Sequence, residues 1–169
     1  YAPAGVSNVA TVTVIVNGPP VARNDAYDMA AGTTLTVNAA NGIILNAAGS
    51  DSDPEGQTVS VFAGSVSTPT SGTVTVNGDG SFSYTPAPGF TGTATFTYRV
   101  TDGLLPSNTA TVSIVVHAPP VAVNDIYSTM KNVPLSVGVL GGLLQNDFDP
   151  EGGSIRIVPG GWTNPSHGV

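Results

Sequence analysis

Apolar and polar side chains alternate with a period of two along much of this chain. The clearest run is Thr93-Ala94-Thr95-Phe96-Thr97-Tyr98-Arg99-Val100, where Ala94, Phe96, Tyr98 and Val100 share one face and the threonines and Arg99 share the other. Successive side chains of a strand point to opposite faces, so this pattern predicts a strand with one face in a core. Similar alternation predicts strands near 33–38, 58–63, 73–77, 81–85, 93–101 and 108–117. Between the third and fourth, Asn77-Gly78-Asp79-Gly80 supplies residues that tolerate positive φ, the requirement of a tight hairpin. No segment shows a helical period. Short strands at this density in about 100 residues predict an all-β fold, an antiparallel β-sandwich of immunoglobulin type. There is no cysteine, so the antibody-type disulfide signature is missing, as are thiol nucleophiles and thiolate metal sites.

The alternation is itself repeated. Ser7-Asn8-Val9-Ala10-Thr11-Val12-Thr13-Val14-Ile15-Val16 returns as Ser107-Asn108-Thr109-Ala110-Thr111-Val112-Ser113-Ile114-Val115-Val116, and Pro19-Pro20-Val21-Ala22-Arg23-Asn24-Asp25-Ala26-Tyr27 as Pro119-Pro120-Val121-Ala122-Val123-Asn124-Asp125-Ile126-Tyr127, both at an offset of 100. Asp51-Ser52-Asp53-Pro54-Glu55-Gly56 returns as Asp147-Phe148-Asp149-Pro150-Glu151-Gly152, at an offset of 96. Three blocks matched in the same order predict tandem units. Residues 1–18 are expected to be the last strand of a preceding repeat, 19–118 a complete repeat, and 119–169 the first half of the next. Residues 165–169 align with 69–73, where a strand begins, so the chain is expected to be a piece of a longer or processed protein.

Composition supports strands and narrows the function. The chain has 23 Val and 20 Thr, β-branched residues that suit a pleated surface. Gly and Pro sit between the periodic segments, as turns do. Only four basic residues are present and the net charge is −7, which excludes a nucleic-acid-binding face. No apolar run is long enough for a membrane span, so no membrane insertion is expected.

The acids are gathered. Of eleven, nine lie in the Asn-Asp motif, in the Asp-x-Asp-Pro-Glu-Gly loops or at Thr101-Asp102-Gly103; only Asp28 and Asp79 lie elsewhere. Neighbouring carboxylates repel unless a cation neutralises them, and Ca²⁺ accepts many oxygen ligands in loose geometry. The same loops are also ordinary turn chemistry, with Asp bonding its own backbone and Pro presetting φ. They are not EF-hands, because the twelfth position is Phe62 in one copy and Val158 in the other. Zinc is disfavoured, since His117 and His167 lack ligand spacing.

The order Pro-Pro-Val-Ala-x-Asn-Asp-x-Tyr, Asp-x-Asp-Pro-Glu-Gly, Gly-Asp-Gly-Ser-Phe-Ser-Tyr-Thr-Pro, Phe-Thr-Tyr-Arg-Val-Thr-Asp-Gly and Ala-Thr-Val-Ser-Ile resembles the tandem cadherin-like (VCBS-type) repeats of large bacterial surface proteins. The resemblance implies an immunoglobulin-like sandwich, an extracellular location at the cell surface, and a stalk of an adhesin or biofilm protein. It further implies calcium between repeats. Asp51, Asp53 and Asp102 would form the top of the full repeat, with Glu55 in the same loop. Asp147 and Asp149 would form the top of the next, with Glu151. Asn24-Asp25 and Asn124-Asp125 would approach from the linker. Where such linkers usually carry Asn-Asp before the prolines, this chain has Asn17-Gly18 and His117-Ala118, which favours one or two ions per junction.

The expected function is therefore a calcium-stiffened structural repeat, whose partners are neighbouring repeats of the same chain. Pro19-Pro20 and Pro119-Pro120 would extend the linkers and limit bending. Two alternatives stand beside it: a filament subunit that exchanges strands with identical neighbours, and a calcium-dependent module for surface polysaccharide. An enzyme is not expected. Asp51 and Asp53 lack the aromatic-lined cleft of a glycosidase pair, the one tryptophan is Trp162, and no nucleophile elbow occurs.

Overall fold

In the computed structural model, the described residues are 5, 8–14, 16–46, 49–138 and 141–161. Trp162, His167 and the 165–169 alignment lie outside them. Among the described residues there are eight strands: β1 (Asp25–Ala30), β2 (Leu35–Val37), β3 (Ser60–Val61), β4 (Thr73–Val76), β5 (Phe82–Thr85), β6 (Gly92–Tyr98), β7 (Val100–Thr101) and β8 (Ala110–His117). A short 3₁₀ turn, Ala39–Asn41, follows β2. One sheet runs β1-β8-β6 and the other β2-β5-β4, while β3 pairs with β7.

All six expected strands are found, the fifth divided at Arg99 into β6 and β7. The alternation reads through to burial. Ala94, Phe96, Tyr98 and Val100 face inward, as do Val112, Ile114 and Val116 of β8, and each is at most 2% exposed. Phe82 sits at the centre of the core, edge-on to Tyr27 (4.9 Å between ring centroids) and to Phe96 (6.0 Å). Aromatic pairs prefer this edge-to-face arrangement because the positive ring edge meets a negative ring face.

Two features depart from expectation. Residues 25–30, where no strand was expected and where Asp25 was read as part of the linker, form β1 and place Asp25 and Met29 in the interior. Asp-Ala-Tyr-Asp-Met-Ala has weak intrinsic preference for a strand, and its partner is more than eighty residues away; tertiary pairing supplies what local propensity lacks. The pairing is also parallel, with Asp25 opposite Val112 and Ala30 opposite His117, whereas the other strand pairs are antiparallel.

The β4–β5 hairpin forms as expected, but Gly80 alone of its four turn residues takes positive φ (84°). Gly80 also lies against Ile44: a Cβ there would come within 2.9 Å of the isoleucine side chain, and one on Gly42 within 2.3 Å of the Gly80 carbonyl oxygen. The two glycines let the 39–44 turn seat on the hairpin, where Ile43 N–H donates to Gly80 O at 3.0 Å. That turn delivers Ile43 and Ile44 to the core and leads into the acidic loop.

Outside residues 17–118 the described chain forms no strand. Val12, Val14 and Val16, which correspond to the buried Val112, Ile114 and Val116, are 85%, 79% and 82% exposed.

Candidate functional site

The acidic loop 51–56 starts where Asp51 N–H donates to Ile44 O at 2.9 Å and is clamped by a two-bond bridge between Val21 and Ser52. Its two aspartates are both buried but take different partners: Asp51 reaches the Tyr98 hydroxyl, and Asp53 caps the turn of its own loop. Two clusters result.

The inner cluster surrounds the hydroxyl of Tyr98. Four oxygens stand around it: Asp25 Oδ2 at 3.0 Å, Asp51 Oδ2 at 3.0 Å, Arg23 O at 3.0 Å and Ile43 O at 2.8 Å. Arg23 N–H donates to Asp51 Oδ1 at 2.7 Å, and the Asn46 amide donates to Asp25 Oδ1. A tyrosine hydroxyl has one proton to give and can accept from two donors. The two carbonyls can only share that one proton, so the two carboxyls are best satisfied when each is protonated and donates to the hydroxyl oxygen. In keeping with that, Asp25 and Asp51 are 4% and 5% exposed, and removal from water pushes the pKa of each from 3.8 up to about 6. For Asp25 the bonds from Tyr98 and Asn46 oppose the shift; for Asp51 the Arg23 N–H opposes it most. The Tyr98 hydroxyl is pushed up as well, by burial first and then by both aspartates.

The outer cluster lies at the chain's entry into the sandwich. Asp53 Oδ1 accepts from Glu55 N–H (2.9 Å) and Gln57 N–H (3.2 Å). Glu55 Oε2 accepts from Gly18 N–H at 3.0 Å. Asn17 Nδ2 donates to Asp102 Oδ2 at 2.6 Å, and Asp102 Oδ1 accepts from the N–H groups of Leu104 and Leu105, both at 2.7 Å. These donors, Asn17 foremost, hold the Asp102 carboxyl below its ordinary pKa. Two buried oxygens here have no hydrogen-bond partner: Asp53 Oδ2 and Asn17 Oδ1. Buried polar atoms are seldom left unpaired, and such an orphan points to a group that belongs beside it.

Bonds of both clusters recur in the second copy of the motif. Val123 N–H donates to Asp147 Oδ1 (2.7 Å), Glu151 and Gly153 N–H to Asp149 Oδ1 (2.9 and 3.0 Å), and Ala118 N–H to Glu151 Oε1 (3.2 Å). Val121 and Phe148 form the same two-bond bridge, and Tyr127 OH reaches Gly141 O as Tyr27 OH reaches Asn41 O.

The structure thus brings Glu55 and Asp102 to the neighbouring residues Gly18 and Asn17, keeps Asp53 on the backbone of its own loop, and places Asp25 and Asp51 around Tyr98. Asn24 joins neither: its Oδ1 accepts from Thr111 N–H at 2.8 Å, tying the approach of β1 to β8. Asn124 offers its carbonyl oxygen to Asn146 Nδ2 (3.3 Å), and Asp125 lies beside Tyr127. His117 stands apart, with Nε2 at 3.0 Å from Asp28 Oδ1 on the exposed surface. Asn17 and Tyr98 were not expected at a site. Asn17 looked like a departure from a linker pattern, and Tyr98 like one more inward aromatic.

A cation must fit this donor set to be considered. Among the described residues no three acidic or histidine side chains are gathered at metal-holding distance. Glu55 and Asp102 bind the neighbouring residues Gly18 and Asn17, Asp53 stands two residues before Glu55, and Asp53 Oδ2 and Asn17 Oδ1 lack partners. Carboxylate and amide oxygens are the donor types calcium takes, so the chemistry of the outer seam fits that ion. The inner cluster is filled by the Tyr98 ring and needs protons more than a metal.

A family profile described as "Bacterial cadherin-like domain" matches residues 17–118. No curated protein matches the chain. Among solved structures, the endo-fucoidan hydrolase MfFcnA9 from glycoside hydrolase family 107 is similar over 66% of this chain and 18% of that one, at 21% identity and a TM-score of 0.32. The chain therefore spans less than a fifth of that hydrolase.

Proposed function

The chain belongs to the bacterial cadherin-like domain family, and from that premise we propose that it is a calcium-stiffened segment of an extracellular surface protein, an adhesin or biofilm stalk built from such units in tandem. The family is structural and non-catalytic, its members occur in extracellular surface proteins, and it generally binds calcium. The observation that carries the reading is the pair of buried oxygens without partners, Asp53 Oδ2 and Asn17 Oδ1, beside the carboxylates of Glu55 and Asp102.

Asn17, Asp53, Glu55 and Asp102 would hold the ion at the first seam, with Asp149 and Glu151 in the corresponding places at the second. A bound ion would supply positive charge that draws these carboxylates together. The chain's own part is to tie the linker to the loop: Glu55 grips Gly18 and Asp102 grips Asn17, so the direction of the entering chain is set by the loop it meets. Pro19-Pro20 keep that segment extended. The recurrence of the same bonds around Asp147, Asp149 and Glu151 supports reading 119–169 as the opening half of a second unit, 19–118 as a full unit and 1–18 as the end of an earlier one.

Thermal unfolding of the chain with millimolar CaCl₂ and with excess chelator tests this. Calcium raises Tm, and Asp53→Asn or Asp102→Asn removes most of the rise. An identical melting curve in the two conditions overturns the calcium reading.

The exposure of Val12, Val14 and Val16 favours a second reading, strand exchange between neighbouring copies. Their counterparts in β8 are fully buried between β1 and β6, so residues 8–16 have the side chains of an inner strand. A concentration-dependent rise in solution mass, abolished by Val14→Asp, supports exchange; a constant monomer mass removes it.

A further inference from the structure

We propose that Asn17–Gly18 is a self-modifying site, at which Asn17 deamidates in the folded protein through a cyclic imide to aspartate or isoaspartate, with Glu55 as the assisting base. The reaction requires the backbone nitrogen after an asparagine to attack the side-chain Cγ. It is fastest where the following residue is glycine, which has no Cβ to crowd the approach. What the nitrogen needs is a base for its proton, and what the amide needs is to lie against the peptide that attacks it.

The outer seam meets both needs. Gly18 N–H donates to Glu55 Oε2 at 3.0 Å. Both Glu55 carboxylate oxygens lie 3.4 Å from the point a Gly18 Cβ would occupy, so the base sits in van der Waals contact with the bare face of the glycine. The Asn17 amide is folded over Gly18, with Nδ2 3.2 Å from Gly18 O and 2.6 Å from Asp102 Oδ2. Asn17 Oδ1 accepts no hydrogen bond that would have to break as Cγ becomes tetrahedral. Glu55 touches the reacting nitrogen; Asp102 is a positioning residue.

The atoms balance with water as the one co-reactant. Glu55 takes the Gly18 amide proton as the N–Cγ bond forms. The Cγ–Nδ2 bond breaks, and the departing nitrogen takes up that proton, relayed through water, to leave as ammonia. A water molecule then opens the imide at either carbonyl, and each product adds one negative charge beside Asp102.

The chain holds its own comparisons. Asn41–Gly42 and Asn77–Gly78 share the dipeptide, but Gly42 N–H donates to the Ala39 carbonyl, and Asn77 gives its amide to Ser81 Oγ at 2.9 Å. Among the described residues neither glycine has a carboxylate on its N–H. At the second seam Ala118 N–H keeps the bond to Glu151, but His117 replaces the asparagine, so the base is present with nothing to cyclise. The added charge would also strengthen the outer seam for a cation; this consequence alone rests on the calcium reading.

The test is to hold the full chain at neutral pH and physiological temperature in chelator and follow amide-to-acid conversion at each asparagine by peptide mass spectrometry. Asn17 converts faster than Asn41 and Asn77. Glu55→Gln slows it roughly tenfold and leaves the other two unchanged. Near-UV circular dichroism checks the fold, and Glu55→Asp, which withdraws the carboxylate from Gly18, gives the same slowing should the glutamine variant unfold. Conversion at Asn17 no faster than at the other two, or unchanged or accelerated by Glu55→Gln, overturns the proposal; acceleration would mean that Glu55 locks the amide. Calorimetry then compares calcium binding by Asn17→Asp and the parent. Tighter binding supports the added charge as a ligand; equal affinity removes that consequence, and no binding by either protein overturns the cation reading while leaving the modification standing.

Discussion

Tyr98 shows how one side chain can carry opposing demands. Its ring fills the core and its hydroxyl is the hub of two carboxyls and two carbonyls. Asp25 and Asp51 have folded pKa values near 6 against an ordinary 3.8, so between these values the folded protein binds more protons than the unfolded chain. Stability contributed by these groups is then fully present below about pH 4 and is lost as pH rises through about 6. In chelator the protein should be more stable at pH 4.5 than at 7.5 as far as this pair is concerned, by on the order of 2–3 kcal/mol per carboxyl. Urea unfolding at the two pH values measures it, and the double variant Asp25→Asn/Asp51→Asn should flatten the difference. Tyr98→Phe removes the shared hydroxyl and leaves buried oxygens unpaired. It should cost roughly 1–3 kcal/mol, read from the urea midpoint at constant slope. The acids could be picked out in the sequence as a group, but their division into an inner and an outer set could not. Spacing along a loop says nothing of which way each carboxyl turns.

At the scale of elements, what was legible followed from periodicity. The two-residue alternation of 93–100 and 110–116 needs no partner to be recognised, because the core face is written in the side chains. β1 escaped recognition for the converse reason: two of its six residues are aspartates, and one of them is buried. The hairpin turn was recognisable, although not that Gly80 does a second service by accepting the 39–44 turn against its bare Cα. Gly80→Ala forces an L side chain to φ 84° and into Ile44, and should cost roughly 1–3 kcal/mol. Gly78→Ala, with ordinary φ and open space, should cost less than half of that; the two melting temperatures compare directly.

At the scale of the whole molecule, the described core lies entirely between Ala22 and Val116. A chain of residues 17–118 should therefore unfold in one cooperative transition, with a Tm in chelator close to that of the full chain; calorimetry checks both. With calcium, the full chain should gain more than this shorter one if the second seam binds as well. Low-angle scattering should show the full chain straighten in calcium and bend more freely in chelator. An unaltered scattering profile would count against a stiffened seam.

From sequence alone came the all-β class, the strands whose side chains alternate, the cadherin-like resemblance and the gathering of the acids, since all four are properties of residue type and order. Tertiary structure alone decided three further matters. It paired β1 in parallel with a strand far along the chain, seated Asp51 on the Tyr98 hydroxyl, and brought Asn17 and Gly18 against Asp102 and Glu55. Each depends on contacts between segments 37 to 87 residues apart, which no local pattern encodes. Burial, more than spacing, then raised the pKa of the inner acids.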